Sequence, residues 1–214
     1  MTILYTLYNN SYIDIAHIQN KKDISFYINL TNRCPCECTF CLRQTKEMMK
    51  DNSLWLKKEP TTKEVIEELS NYDLTLFKEC VFCGFGEPTE RLDDLLDIAA
   101  YLKQTCTKLS IRINTNGLSN LIYETDITPR LKGLIDTVSI SLNAPTAKEY
   151  LKLTRSRFGI ASFEGMLDFA VKCKRYVPHV IMTVVDIIGE EKISQCQSIA
   201  DRLGLYLRVR PFEE

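Results

Sequence analysis

Apolar and polar positions alternate along this chain in two ways, and together they sort it into strands and helices. Short strand-like runs occur at ISFYINLT (24–31), FKECVFCG (77–84), KLSIRINT (108–115), DTVSISLN (136–143), HVIMTVVDI (179–187) and LYLRVRPF (205–212). Between them lie helical segments. PTTKEVIEELSNY (60–72) places Thr61 three residues before Glu64, the spacing of a capping box. A second segment sets Leu92, Leu95, Leu96, Ala99 and Leu102 on one face. A third carries Phe163, Met166, Leu167 and Ala170. A fourth carries Ile193, Cys196, Ala200 and Leu203 and stops near Gly204. Ahead of these, ILYTLY and SYIDI flank Asn9 and Asn10 and read as a small hairpin within residues 1–20.

Six strand-then-helix units, the last without its helix, predict a mainly parallel sheet covered by helices. An open doubly wound sheet and a curved partial barrel both satisfy that order, so the strand faces decide. Parallel strands covered on both sides are apolar on both faces. Here Phe26, Ile28 and Leu30 alternate with Tyr27, Asn29 and Thr31, and Ile111 and Ile113 with Ser110, Arg112 and Asn114. Val138, Ile140 and Leu142 alternate with Ser139, Ser141 and Asn143, and Leu207 and Val209 with Tyr206, Arg208 and Arg210. One face meets helices while the other lines a polar cavity. The expectation is an α/β fold: a single domain (1–214) holding a partial (β/α)6 TIM-like barrel at 24–212, with its working mouth at the strand C-terminal ends.

Charge and cysteine usage narrow the function. Lys plus Arg number 27 against 28 Asp plus Glu, so no global field draws in nucleic acid or an acidic membrane. No window approaches the length of an apolar membrane span, and the N-terminus does not read as a secretory leader. A cytoplasmic location, where thiols stay reduced, is expected. Nine cysteines, an odd number, therefore do not read as a disulfide framework. His17 and His179 are the only histidines, which disfavours histidine-rich metal centres and Ser-His-Asp machinery.

The candidate chemistry concentrates in TNRCPCECTFCLR (31–43), directly after the first parallel strand, where Cys34, Cys36, Cys38 and Cys41 fall within eight residues. A zinc site pairing Cys38-x2-Cys41 with Cys80-x2-Cys83 is one reading. It is opposed by the position of Cys80 and Cys83 in a strand, where residues three apart point to opposite faces. Cys34, Cys38 and Cys41, spaced C-x3-C-x2-C, offer three soft thiolates on one compact loop. That number suits three corners of an iron–sulfur cubane and leaves the fourth iron open. Cys80, Cys83, Cys106, Cys173 and Cys196 read as core or helix-face residues.

CPCECTFC matches the C-x3-C-x-aromatic-C signature of the radical S-adenosylmethionine (radical SAM) enzymes, with Phe40 as the aromatic. GFGEPTE (84–90) resembles that family's Gly-Gly-Glu-Pro segment, and Ser141 and Asn143 fall where the family contacts ribose. In detail, NLTNRCPCECTFC, SLWL, VFCGFGEPTERLD, TNGL and SISLNAP resemble the TatD-linked radical SAM subfamily. The resemblance implies a 4Fe–4S cluster held by Cys34, Cys38 and Cys41, with Cys36 a non-ligand. It implies S-adenosylmethionine chelated at the open iron and cleaved reductively to a 5′-deoxyadenosyl radical that abstracts hydrogen from substrate. It also implies an electron donor such as flavodoxin or ferredoxin, and a functional link to a TatD-type hydrolase.

By the same resemblance Gly84, Gly86 and Glu87 contact the methionine amino group, although Phe85 stands in place of the motif's usual first glycine. Ser141 and Asn143 bond the ribose, and Asn116 joins the cofactor pocket. Arg112, Asn114, Arg208 and Arg210 share the inferred cavity face with Asn29 and offer an anion site for the S-adenosylmethionine carboxylate or for substrate. The competing role is pairing with internal acids such as Asp186. Trp55 is expected to pack on the first long helix or to close a lid. Two other functions compete with a small-substrate enzyme: an activase that makes a glycyl radical on a protein partner, and a zinc-stabilised binding module.

Overall fold

A computed structural model of the chain describes residues 3–9, 11–45 and 54–212. Asn10 of the hairpin turn and Ser53 of SLWL lie outside the described residues. The fold divides into two compact units, one drawn from residues 1–33, 48–113 and 134–136, the other from 34–47, 114–133 and 137–214.

The first unit opens with β1 (Leu4–Tyr8) and β2 (Ser11–Asp14), the expected antiparallel hairpin, registered Tyr5↔Asp14 and Tyr8↔Ser11. Then comes β3 (Ser25–Ile28), and β1 pairs with it antiparallel at Leu4↔Ile28 and Tyr5↔Tyr27. The hairpin is thus part of the sheet itself. Local patterning shows that two strands exist and is silent on which third strand they join. β3 pairs in parallel with β4 (Glu79–Phe82), and β4 with β5 (Ser110–Thr115).

The alternation read from sequence is realised here. Phe26, Ile28 and Ile111 are fully buried, while Tyr27, Ser110 and Arg112 on the opposite face are half-buried. The register sets Ser25, Glu79 and Ser110 in one polar row, and Tyr27, Val81 and Arg112 in the next.

After the short helix α1 (Leu42–Thr45), which belongs to the second unit, the first unit's α2 (Thr62–Leu69) starts as its capping box predicts. Thr61 Oγ1 accepts from Glu64 N, and Glu64 Oε2 accepts from Thr61 N at 2.7 Å. In α3 (Leu92–Thr105) Leu92, Leu95, Ala99 and Leu102 are all inaccessible to solvent, as their spacing requires. Thr62 Oγ1 donates to Asp94 Oδ1 at 2.6 Å and ties α2 to α3.

The second unit holds α4 (Ser119–Ile122), β6 (Thr137–Ser141), α5 (Ala147–Thr154), α6 (Ala161–Cys173), β7 (His179–Val185), α7 (Glu190–Leu203) and β8 (Tyr206–Arg210). β6, β7 and β8 are parallel neighbours, and their register aligns Ser141, Thr183 and Arg208 in one polar row. Val138, Ile140, Leu142 and Leu207 point to the buried side, whereas Val209, expected there, is exposed on β8. Gly117 follows β5 at φ +75, and a Cβ on it would stand 2.9 Å from both Ile140 Cγ2 and Met166 Cγ. The Asn-Gly turn is therefore fixed by backbone conformation and by close packing.

The strand order is β2-β1-β3-β4-β5-β6-β7-β8, an open and mostly parallel sheet. The expected six-stranded parallel core, β3 to β8, is present with the hairpin added at its first edge. Among the described residues, no helix is long and apolar enough to cross a membrane.

Candidate functional site

In the second unit the cysteine loop is held by backbone, and its anchor is the C-terminal end of α5. The last carbonyls of a helix have no partner within it. Here Glu37 N donates to Thr154 O and Thr39 N to Leu153 O, both at 2.9 Å, while Arg157 N reaches back to Pro35 O at 2.9 Å. Arg155 takes the left-handed conformation (φ 48) that ends α5 and lets the chain make this return. Cys41 N closes a turn onto Cys38 O at 3.1 Å, and Arg43 Nη2 donates to Cys36 O at 3.3 Å. Backbone bonds thus anchor the loop at both ends of the cysteine run.

The four thiols differ in setting. Cys34, Cys38 and Cys41 are half-exposed, as is Phe40, whereas Cys36 is 2% exposed. Hydrogen bonds to Cys34 and Cys38, followed by burial, push the Cys36 thiol far above the usual thiol range, so it keeps its proton. Asn116 lies against this group, its Nδ2 3.9 Å from Cys34 Sγ and 4.0 Å from Cys36 Sγ. Its Oδ1 accepts from Leu118 N at 2.9 Å and so fixes the amide's orientation. Among the described residues no three Cys, His, Asp or Glu side chains converge as they would around a single ion. Three half-exposed thiols on one backbone-anchored loop are soft donors of the kind that an iron–sulfur cluster takes.

Further along the second unit, Asn143 combines two irregularities. It is a non-glycine residue at φ 55 and it is 3% exposed, yet its Oδ1 has no hydrogen-bond partner among the described residues. A buried, unpaired acceptor on a strained backbone just beyond β6 marks a place where a ligand donor belongs. Ser141 is half-buried on β6. Arg208 Nη2 reaches Ser139 Oγ at 3.4 Å, and Arg210 Nε is buried with no hydrogen-bond partner among the described residues. Asp186, expected as a partner for the arginines, instead accepts from Phe212 N at 2.8 Å.

In the first unit the Gly-Phe-Gly-Glu-Pro segment is pressed against the chain that leads into the cysteine loop. Glu87 N donates to Arg33 O at 2.8 Å. A Cβ on Gly86 would lie 2.3 Å from Thr31 O and 2.6 Å from Arg33 O, so only glycine fits. A Cβ on Gly84 would collide with the Asn29 side chain, 2.1 Å from Oδ1. Glu87 is 3% exposed, and its Oε1 accepts from Thr89 Oγ1 at 2.7 Å and Thr89 N at 3.2 Å, capping the turn at Pro88–Arg91. The carboxylate thus carries a structural task that the motif alone did not disclose.

Arg112 forms an ion pair with Glu79 at 2.8 Å, the internal-acid role, while Asn114 two residues on is half-buried. Trp55, expected on the first long helix or in a lid, is 53% exposed and leans on Phe85, with ring centroids 6.3 Å apart. Cys80 is fully buried in β4, and Cys83, one residue past the strand, is half-exposed. That separation disposes of the paired-knuckle zinc reading.

Within the second unit, the half-exposed thiols of the cysteine loop and the orphaned Asn143 acceptor are the groups left available to a cofactor. The Radical SAM superfamily model matches residues 28–202, and the chain belongs to that superfamily. Its cofactors are accordingly a 4Fe–4S cluster and S-adenosylmethionine.

Curated relatives include a probable GTP 3′,8-cyclase of Thermococcus kodakarensis, 28% identical over 87% of this chain and 56% of that protein. A GTP 3′,8-cyclase of Corynebacterium glutamicum is 32% identical over 85% of this chain and 47% of that protein. The chain spans about half the length of these relatives. Their names lend no support to the TatD-linked subfamily resemblance. Among solved structures, Streptococcus suis SuiB bound to S-adenosylmethionine superposes with a TM-score of 0.68 at 17% identity, covering 91% of this chain and 42% of SuiB. Methylornithine synthase PylB gives 0.64 at 15% identity, covering 92% and 56%. Both share the partial-barrel fold.

Proposed function

We propose that this chain is a radical SAM enzyme acting on a small anionic substrate, and that Cys34, Cys38 and Cys41 are its cluster ligands. The observation that carries the ligand assignment is the contrast within the loop: these three thiols are half-exposed while Cys36 is buried. When bound, the cluster and S-adenosylmethionine supply a 5′-deoxyadenosyl radical, and the protein's residues bind, orient and exclude water.

Gly84, Gly86 and Glu87 form the turn whose backbone and carboxylate contact the methionine moiety. Phe40 and Asn116 pack about the cluster loop. Ser141 and the unpaired Asn143 Oδ1 take ribose hydroxyls. Arg208, Arg210 and Asn114 form the anion-facing set, and Arg112 supports it through Glu79. Electrons come from a flavodoxin- or ferredoxin-type donor in a reducing cytoplasm.

The relatives' names direct the first substrate trial to GTP rather than to a TatD-linked partner. Arg210 supports an anionic ligand, because a buried guanidinium Nε without an acceptor is costly until an anion arrives. Calorimetry of the reconstituted protein with GTP is expected to show binding. Arg210→Ala should weaken it about tenfold or more, the ~1.5–3 kcal/mol of a charge-assisted bond. An unchanged Kd removes Arg210 from the site, and no binding of GTP removes GTP as the substrate.

A further inference from the structure

One group of side chains on the polar face of the first unit has no part in the reaction as described so far. Tyr5 on β1 and Tyr27 on β3 are paired in register, and their rings stack with centroids 5.0 Å apart at 19°. Tyr12 meets Tyr5 edge-on at 5.8 Å. Tyr5 is 2% exposed, and its hydroxyl donates to the backbone oxygen of Cys83 at 3.1 Å. The Cys83 side chain belongs to the same group. Burial first, then the neighbouring Cys83 thiol, raise the pKa of both Tyr5 and Tyr27, so both phenols hold their protons.

Cys83 directly precedes Gly84, where the chain turns away from β4. Its N donates to Ile28 O at 3.1 Å, which sets it level with Asn29. Asn29 is fully buried. Its Nδ2 donates to Leu54 O at 2.6 Å, but its Oδ1 has no partner among the described residues. This orphaned acceptor beside a half-exposed thiol points to a ligand at that spot.

We propose that Cys83 is the hydrogen-atom donor of this enzyme, with Tyr5 behind it as the group that refills it and Tyr27 stacked on Tyr5. The proposal rests on the radical SAM reading above. A carbon-centred radical takes hydrogen from Cys83 Sγ: a C–H bond forms, the S–H bond breaks, and a thiyl radical is left. Tyr5 then gives its phenolic hydrogen atom to that sulfur, so the S–H bond reforms and a phenoxyl radical remains. A rotation of the Tyr5 hydroxyl redirects its hydrogen from the Cys83 carbonyl to Sγ. One electron from a low-potential donor of the flavodoxin or ferredoxin type, with one proton from water, restores Tyr5. The sum is one electron and one proton per hydrogen atom delivered. Stacking on Tyr27 shields the phenoxyl from solvent while it waits for the electron.

The test needs no substrate. The reconstituted protein is reduced with a thiol-free reductant and S-adenosylmethionine in D2O, and the 5′-deoxyadenosine formed is analysed by mass spectrometry. S–H and O–H positions exchange with D2O and carbon-bound hydrogens do not, so deuterium in the product reports an exchangeable donor. Wild type is expected to give mostly singly deuterated product. Cys83→Ser, similar in size but a far poorer hydrogen-atom donor, should lower the deuterated fraction at least tenfold. Cys83→Ala serves in its place if the serine variant does not fold. Tyr5→Phe should give no more than one deuterated equivalent per chain and lose the phenoxyl signal seen by electron paramagnetic resonance. Equal deuteration in wild type and the Cys83 variants, or none in wild type, overturns the proposal. If no 5′-deoxyadenosine forms at all, the radical SAM reading itself has failed, a result distinct from either of these.

Discussion

Replacing Cys38 with alanine is expected to empty the protein of its cluster: iron falls from about four per chain to background, and S-adenosylmethionine cleavage falls with it. Cys36→Ala in the same preparation is expected to keep about four. The difference follows from the loop's own construction. Cys36 is turned inward, 2% exposed and bonded to Cys34 and Cys38, while the other three thiols remain accessible. The backbone bonds to the end of α5, Glu37 N to Thr154 O and Thr39 N to Leu153 O, hold the loop whichever thiol is removed. A lost cluster in Cys38→Ala therefore reports lost ligation and not a collapsed loop. Circular dichroism of both variants checks that point. If Cys36→Ala loses iron as Cys38→Ala does, the assignment of ligands is wrong.

The second large effect is expected at a residue that touches no cofactor by its side chain. Gly86→Ala puts a methyl group 2.3 Å from Thr31 O and 2.6 Å from Arg33 O, and neither backbone oxygen can swing aside as a side-chain tip would. Overpacking of this kind costs about 3 kcal/mol, the upper end of the usual range. Because Arg33 immediately precedes Cys34, the displacement is expected to reach the cluster loop. Denaturant unfolding should show the lower midpoint with an unchanged slope, and reconstituted iron should drop in parallel. Gly133→Ala is the control, since nothing lies within 4 Å of a Cβ there, although its φ of +76 still exacts some strain. An iron content and midpoint for Gly86→Ala equal to wild type would mean that the Gly-Glu-Pro turn does not shape the loop.

Much of this architecture can be read from sequence because it follows from local rules. The capping box of Thr61 and Glu64 starts α2 where its spacing says, and the leucines of α3 are all buried. The alternation in SIRIN and VSISLN gives strands with one buried and one polar face. What escaped reading depends on partners far apart in sequence. No local pattern says that β1 pairs with β3, so the assembly of Tyr5, Tyr27 and Cys83 was invisible and Cys83 read as a core thiol.

The helix α5 is not among the helices that apolar spacing picks out, yet it carries a local signal. Thr146 and Glu149 repeat the spacing of Thr61 and Glu64, and Thr146 Oγ1 does accept from Glu149 N. That short helix supplies the carbonyls that hold the cysteine loop. The site residues divide the same way. The C-x3-C-x2-C spacing is local and legible. The burial of Cys36, the Thr89 contacts of Glu87 and the Arg112–Glu79 pair need three dimensions.

On the proposed reading, the three-thiol loop holds a cluster at which S-adenosylmethionine is cleaved reductively. The most direct measurement is anaerobic reconstitution with iron and sulfide, then reduction in the presence of S-adenosylmethionine. About four irons per chain and equal amounts of methionine and 5′-deoxyadenosine are expected. One tightly bound zinc, or a full cluster that leaves S-adenosylmethionine intact under reducing conditions, would contradict it.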